Sequence, residues 1–89
     1  MSHVLIKHHI QDYAKWRTVF DSMEGLRAEM GETYAHVFHN VDDLNNIIIM
    51  LRWDNLENAR RYIQDPRLKA AMQEAGVMGP PEITFLADA

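Results

Sequence analysis

The chain has 89 residues, of which 47% are apolar and 25% charged, with a net charge of −4 and no cysteine. That length accommodates one core, so a single domain over residues 1–89 is expected. The acidic balance and scattered basic residues argue against a nucleic-acid binder, the lack of cysteine removes disulfides and thiolate chemistry, and no segment approaches the ~20 apolar residues of a membrane span.

The N-terminal stretch "MSHVLIKHHIQDY" has no signal-peptide pattern, and a soluble, cytoplasmic protein is expected. Residues 4–10 read as a strand. Asp12 is placed to cap a helix over 13–30, along which Tyr13, Trp16, Val19, Phe20, Met23, Leu26 and Met30 keep the three-or-four spacing of one face. Gly31 is its natural stop. Residues 33–40 and 46–53 read as a hairpin across the polar turn "NVDDLNN". Asp54 is expected to cap a second helix, with Glu57 completing a capping box. "QDPRL" interrupts that helix, and Asp65 caps a new segment with Pro66 at its first position, running to Gly76. "GPP" then ends the turn, and residues 82–87 form the last strand.

The order is β-α-β-β-α-β, the ferredoxin-like pattern of an α+β fold with a four-stranded antiparallel sheet. Right-handed crossovers give the strand order 4-1-3-2 with both helices on one face. Five consecutive apolar residues, Ile47 to Leu51, then leave the third strand apolar on both faces. With Asn40 opposite Asn46, the helix-side floor holds Ala35, Val37, Ile47, Ile49, Leu51 and Trp53. The other face holds Tyr34, Phe38, Ile48 and Met50, mixed with His36 and Arg52. A patch of that kind needs covering, and a chain this short buries only roughly 60–65% of its unfolded surface. A homodimer packed through the sheet faces is therefore expected.

With "KHHIQDYAKWRTVFD", "NVDDLNNIIIMLRWDNLENARRYIQDPRL" and "AMQEAGVMGPPEITFL" the chain resembles, along nearly its whole length, the dimeric α+β barrel superfamily, and within it small proteins related to the antibiotic biosynthesis monooxygenases. The most specific element is the tryptophan ending the third strand, followed by a capped helix and a later "DPRL". The resemblance implies a cofactor-free pocket between sheet and helices, lined by a polar residue of the first strand, here His8, and by the strand-three tryptophan, here Trp53. Haem-degrading members carry a helix histidine nine residues after that tryptophan; Tyr62 stands there instead, so haem degradation is not implied.

His8 shares a face with Val4, Ile6 and Ile10, which makes it a candidate acid or base in an apolar layer. It reads equally as a core histidine satisfied by one backbone hydrogen bond. Tyr62 is a candidate donor to an oxyanion, or an amphipathic residue at the helix rim. Trp53, Trp16 and Val37 are candidate pocket walls, against plain core packing. Tyr34, His36 and Arg52 form a candidate polar cluster at the sheet interface. The five histidines show no i, i+2 strand spacing or i, i+4 helix spacing, so no metal site is expected within one chain. Three functions fit: a cofactor-free monooxygenase, cyclase or isomerase acting on a small aromatic or polyketide-like molecule; a module that binds a small apolar molecule unchanged; or a structural dimer.

Overall fold

The computed structural model describes residues 1–89. The elements are β1 (Ser2–Ile10), α1 (Tyr13–Ser22), α2 (Glu24–Met30), β2 (Glu32–Asn40), β3 (Asp43–Trp53), α3 (Leu56–Ile63), α4 (Pro66–Glu74) and β4 (Val77–Ala87). All strand pairs are antiparallel, in the order β2-β3-β1-β4. This is the expected ferredoxin-like sheet read from its other edge. Alternation sorts β1 and β3: Val4, Ile6, His8 and Ile10 are buried with Ile47, Ile49, Leu51 and Trp53 on one face. Trp16, Ala59, Tyr62, Leu68 and Ala75 close the core from the helix side. Each large apolar side chain fully buried there contributes about 1.5–3 kcal/mol.

The helix expected over 13–30 is two helices. Met23, between them, has φ −90° and ψ −2°, and its N–H turns to the carbonyls of Phe20 and Asp21. Ser22 donates its hydroxyl to the Val19 carbonyl at 2.6 Å, the kind of back-bonding that bends a helix. Asp12 and Asp65 cap α1 and α4, each accepting the backbone N–H two residues on. The start of α3 differs from expectation. Its cap is Asn55, which accepts the Asn58 N–H at 2.8 Å, while Asp54 accepts the Asn58 side-chain amide at 3.0 Å. No reciprocal capping box forms with Glu57 or Asn58, because the Asn55 N–H is accepted by Asp54 at 2.8 Å. Asp54 and Asn55 are both good capping types, and the second lies one residue nearer the helix.

The register of β2 on β3 runs as expected from Tyr34↔Arg52 to Phe38↔Ile48 and departs at both ends. Asn40 pairs with Asp43 rather than Asn46, because its side chain accepts the Asp42 N–H and closes a two-residue turn. Residues 43–45 therefore belong to the strand. At the other end Glu32, not Thr33, faces Trp53 across a bulge. Cross-strand partners share a face, so the bulge carries Glu32 onto the helix side with Trp53. A second irregularity lies between β1 and β4. Lys7 pairs with Glu82 and His9 with Met78, so Gly79, Pro80 and Pro81 stand against His8 alone. "GPP" is thus a bulge inside a long strand rather than the end of a turn. Gly79 has φ +74° and the two prolines bring no N–H to the ladder.

Candidate functional site

Between the sheet and the helices lies a cleft with a cavity volume of about 50 Å³, walled mainly by Trp16, Phe20, Met23, Leu68 and Met72. Three polar residues reach it: His8 from β1, Arg27 from α2 and Tyr62 from α3. A cavity of that size holds a few waters or a small group. Met23 and Met72, unbranched and adaptable, are the walls that yield most easily to something larger.

His8 is 6% exposed, and neither ring nitrogen has a hydrogen-bond partner. Its ring lies 5.8 Å from Trp16, tilted by 59°. Burial, and to a smaller degree the neighbouring His9, lowers its pKa from 6.5 to about 4. The imidazole is therefore neutral at physiological pH, with one N–H and one lone pair unpaired in an apolar layer. The satisfying backbone hydrogen bond of an ordinary core histidine is absent.

Arg27 is the residue that periodicity passes over. It is 2% exposed, its Nε lies 2.7 Å from Glu32 Oε2, and its Nη1 donates to the Phe20 carbonyl at 2.9 Å. The guanidinium covers the Phe20 ring at 3.9 Å, and that ring stacks on Trp16 at 5.0 Å. The signal lay in a heptad-like series: Trp16, Phe20, Met23, Arg27 and Met30 step by four, three, four and three, with a charge on the apolar stripe. Burial pushes the Glu32 carboxyl and the Tyr62 phenol up, and the Arg27 cation opposes both shifts. Arg27 therefore pairs with the carboxylate brought in by the β2 bulge and lines the same cleft as the phenol on α3.

Tyr62 and Trp16 line the cleft with His8; Trp53 and Val37 do not. Trp53 is fully buried behind Tyr62, their rings 5.1 Å apart, and its indole N–H has no partner. Its place at the end of β3 puts it under α3 rather than at the cavity. Val37 lies on edge strand β2 and faces a separate polar groove with Arg17, Asp21 and Glu24. Tyr34, His36 and Arg52 are brought together on the far face of the sheet. The Tyr34 hydroxyl is 2.9 Å from His36 Nδ1, and the Arg52 guanidinium is 5.2 Å from the Tyr34 ring. No three His, Asp or Glu side chains are grouped to hold a metal, and no helix is long and apolar enough to cross a membrane.

No protein-family model matches the chain, and no curated protein matches it. Solved structures match it over nearly its full length. A putative antibiotic biosynthesis monooxygenase from Bordetella bronchiseptica aligns with a TM-score of 0.82 at 10% identity, covering 99% of this chain and 96% of that one. SnoaB, a cofactor-independent oxygenase from Streptomyces nogalater, aligns with a TM-score of 0.80 at 14% identity, covering 99% and 92%. A monooxygenase from Streptomyces coelicolor, ActVA-Orf6, in complex with nanaomycin D, aligns with a TM-score of 0.68 at 17% identity, covering 99% and 87%. The chain has the α+β fold of the antibiotic biosynthesis monooxygenase structures.

Proposed function

We propose that the cleft is the active site of a cofactor-free oxygenase acting on a small aromatic or polyketide-like substrate. The observation that carries this reading is His8: a buried imidazole with both nitrogens free, facing a cavity that Arg27 and Tyr62 also reach. His8 takes a proton from a carbon flanked by carbonyl or aryl groups, and the electron pair stays on the substrate as an enolate. Arg27 and Tyr62 donate to the enolate oxygen as its charge develops. A base with a pKa of about 4 is weak, so the carbon acid must be a strong one. The enolate, forming beside the imidazolium, supplies the counter-charge that the empty cleft lacks. Dioxygen adds to the electron-rich carbon, the peroxide anion takes the proton back from the His8 imidazolium, and the hydroperoxide loses water, so a CH₂ becomes a carbonyl with one oxygen atom retained and the other released as water. The fold shared with the cofactor-independent oxygenase SnoaB supports this chemistry.

The narrowness of the cleft favours a second reading, in which a small apolar ligand is held unchanged. Oxygen uptake separates the two. With anthrone-type and cyclic 1,3-dicarbonyl compounds, the metal-free protein should speed oxygen consumption, and His8→Gln should lower that rate by about 10²-fold or more. If the parent accelerates none of them, or His8→Gln keeps the parental rate, the oxygenase reading fails.

We further propose that the working unit is a homodimer joined by the sheet faces. On that face Tyr34 is 45%, Phe38 48%, Met78 55% and Leu86 37% exposed, beside half-buried Leu5, Ile48 and Met50. Such a patch is large for a protomer of this size.

A further inference from the structure

The cleft is smaller than the substrates proposed for it. Its volume is about 50 Å³, whereas an apolar cavity that takes up benzene measures about 150 Å³. A ring therefore enters only if a wall moves. Met23 and Met72 can flex, but neither borders the polar groove of about 590 Å³ between the first two helices and β2. Phe20 and Arg27 do, and they are the only residues that line both the cleft and the groove. Pairing with Trp53, Leu51 and Ile49 puts Glu32, Ala35 and Val37 on the helix side of the sheet, and it is from there that they line the groove. Only Tyr34 is common to the groove and to the patch proposed for the dimer.

Of the two shared residues, Arg27 is fixed by its pairing with Glu32 and by its bond to the Phe20 carbonyl. The Phe20 ring is held by contacts alone. It is half-buried, stacked on Trp16 at 5.0 Å with 14° between the planes, and covered by the Arg27 guanidinium at 3.9 Å. The Arg17 guanidinium, which lines the groove and not the cleft, lies 5.6 Å from the same ring. Rotation of the Phe20 side chain toward the groove therefore keeps a cation beside its ring. The rotation vacates a benzene-sized space next to Trp16 and Arg27 and joins the two cavities. The main chain need not move, because the Phe20 carbonyl stays bonded to Arg27.

We propose that Phe20 is a displaceable partition that selects the substrate. A planar, electron-rich ring, such as a hydroxylated aromatic, replaces the Phe20 ring against Trp16 and Arg27, and the rest of the molecule extends into the groove. The indole and the guanidinium both favour a flat π face, which a saturated ring of the same size does not offer. Stacking on Trp16 brings the ring toward His8, whose imidazole lies 5.8 Å from that indole. The use of this ring in catalysis rests on the oxygenase reading; the displacement itself does not.

The test is binding without turnover. 2-Naphthol reaches from the stack into the groove, and decahydro-2-naphthol is its saturated counterpart. In calorimetric titrations the protein should bind the first and not the second at the same concentrations. In NMR spectra the nuclear Overhauser contacts between the Phe20 ring and the Trp16 indole should give way to contacts between naphthol and Trp16. Phe20→Ala removes the displacement step and should tighten naphthol binding about tenfold or more, as when an open form populated at ~10% or less becomes the resting one. Met72→Ala enlarges the cleft from another wall and should change the affinity less. If Phe20→Ala fails to fold, Phe20→Leu takes its place with tightening still expected. Equal binding of the saturated compound, a Phe20–Trp16 contact that survives saturation, tightening by Met72→Ala as large as by the Phe20 variant, or no binding by parent and variant alike overturns the partition. Displacement of Phe20 without oxygen uptake from any substrate sinks the oxygenase reading and leaves the partition standing. Oxygen uptake with the Phe20–Trp16 contact intact at saturation does the reverse.

Discussion

At His8 a single side chain couples the proposed chemistry to stability. The folded protein holds it neutral down to about pH 4, whereas the unfolded chain takes up the proton near 6.5. Between those values the unfolded state binds more protons, so stability falls as pH falls. The whole shift is worth up to about 3 kcal/mol. Below about pH 4 both states are protonated and the loss levels off. His8→Leu should remove this component. In urea titrations at pH 7 and pH 4.5 the parent should lose more stability than the variant, carboxylate effects being common to both. Identical losses would mean that His8 is not buried neutral. This position was legible from alternation alone, because Val4, Ile6 and Ile10 declare the face on which it lies. Arg27 was not, because a count of apolar residues places Leu26 on the stripe and drops the charge beside it. What brings Arg27 inside is Glu32, whose inward turn depends on a bulge that leaves no mark in the sequence.

The elements themselves were largely legible, since strands and helices here carry their own periods and caps. The joins between them were less so. Bulges at Thr33 and at 79–81 involve residues that look like ordinary strand or turn, and only pairing with a partner reveals them. Gly31 is a join read correctly for a reason that is incomplete. It ends α2 with φ +117°, and its carbonyl also accepts the Asp54 N–H at 3.0 Å, tying the end of α2 to the start of α3. A Cβ at Gly31 would collide with the Asp54 carboxylate, its Cγ only 2.8 Å away. Gly31→Ala therefore combines backbone strain with a clash and should destabilise the fold by about 1–3 kcal/mol. Gly25→Ala meets nothing within 4 Å in a helical segment and should be neutral or mildly stabilising. Equal urea midpoints for Gly31→Ala and the parent would show that the α2–α3 junction is not tight.

For the whole molecule, the question is what lies against the far face of the sheet. A standard interface of about 800 Å² per partner would take roughly a seventh of the 5542 Å² that one chain exposes. Ile48 is the position to probe. It lies on a central strand, half-buried, with Phe38 across from it on β2 and Lys7 across from it on β1. In a lone protomer, Ile48→Glu places its carboxylate opposite the Lys7 ammonium, a favourable cross-strand pair in contact with water. Between two packed sheets the same carboxylate must leave water in an apolar layer. The substitution should therefore separate the copies more than it unfolds them. Sedimentation at micromolar concentration should show the parent as a dimer and Ile48→Glu as a folded monomer, while Gln73→Glu, on the exposed surface of α4, stays dimeric. A parent that sediments as a stable monomer removes the dimer. It would also mean that exposed Tyr34, Phe38 and Met78 face water in the working protein.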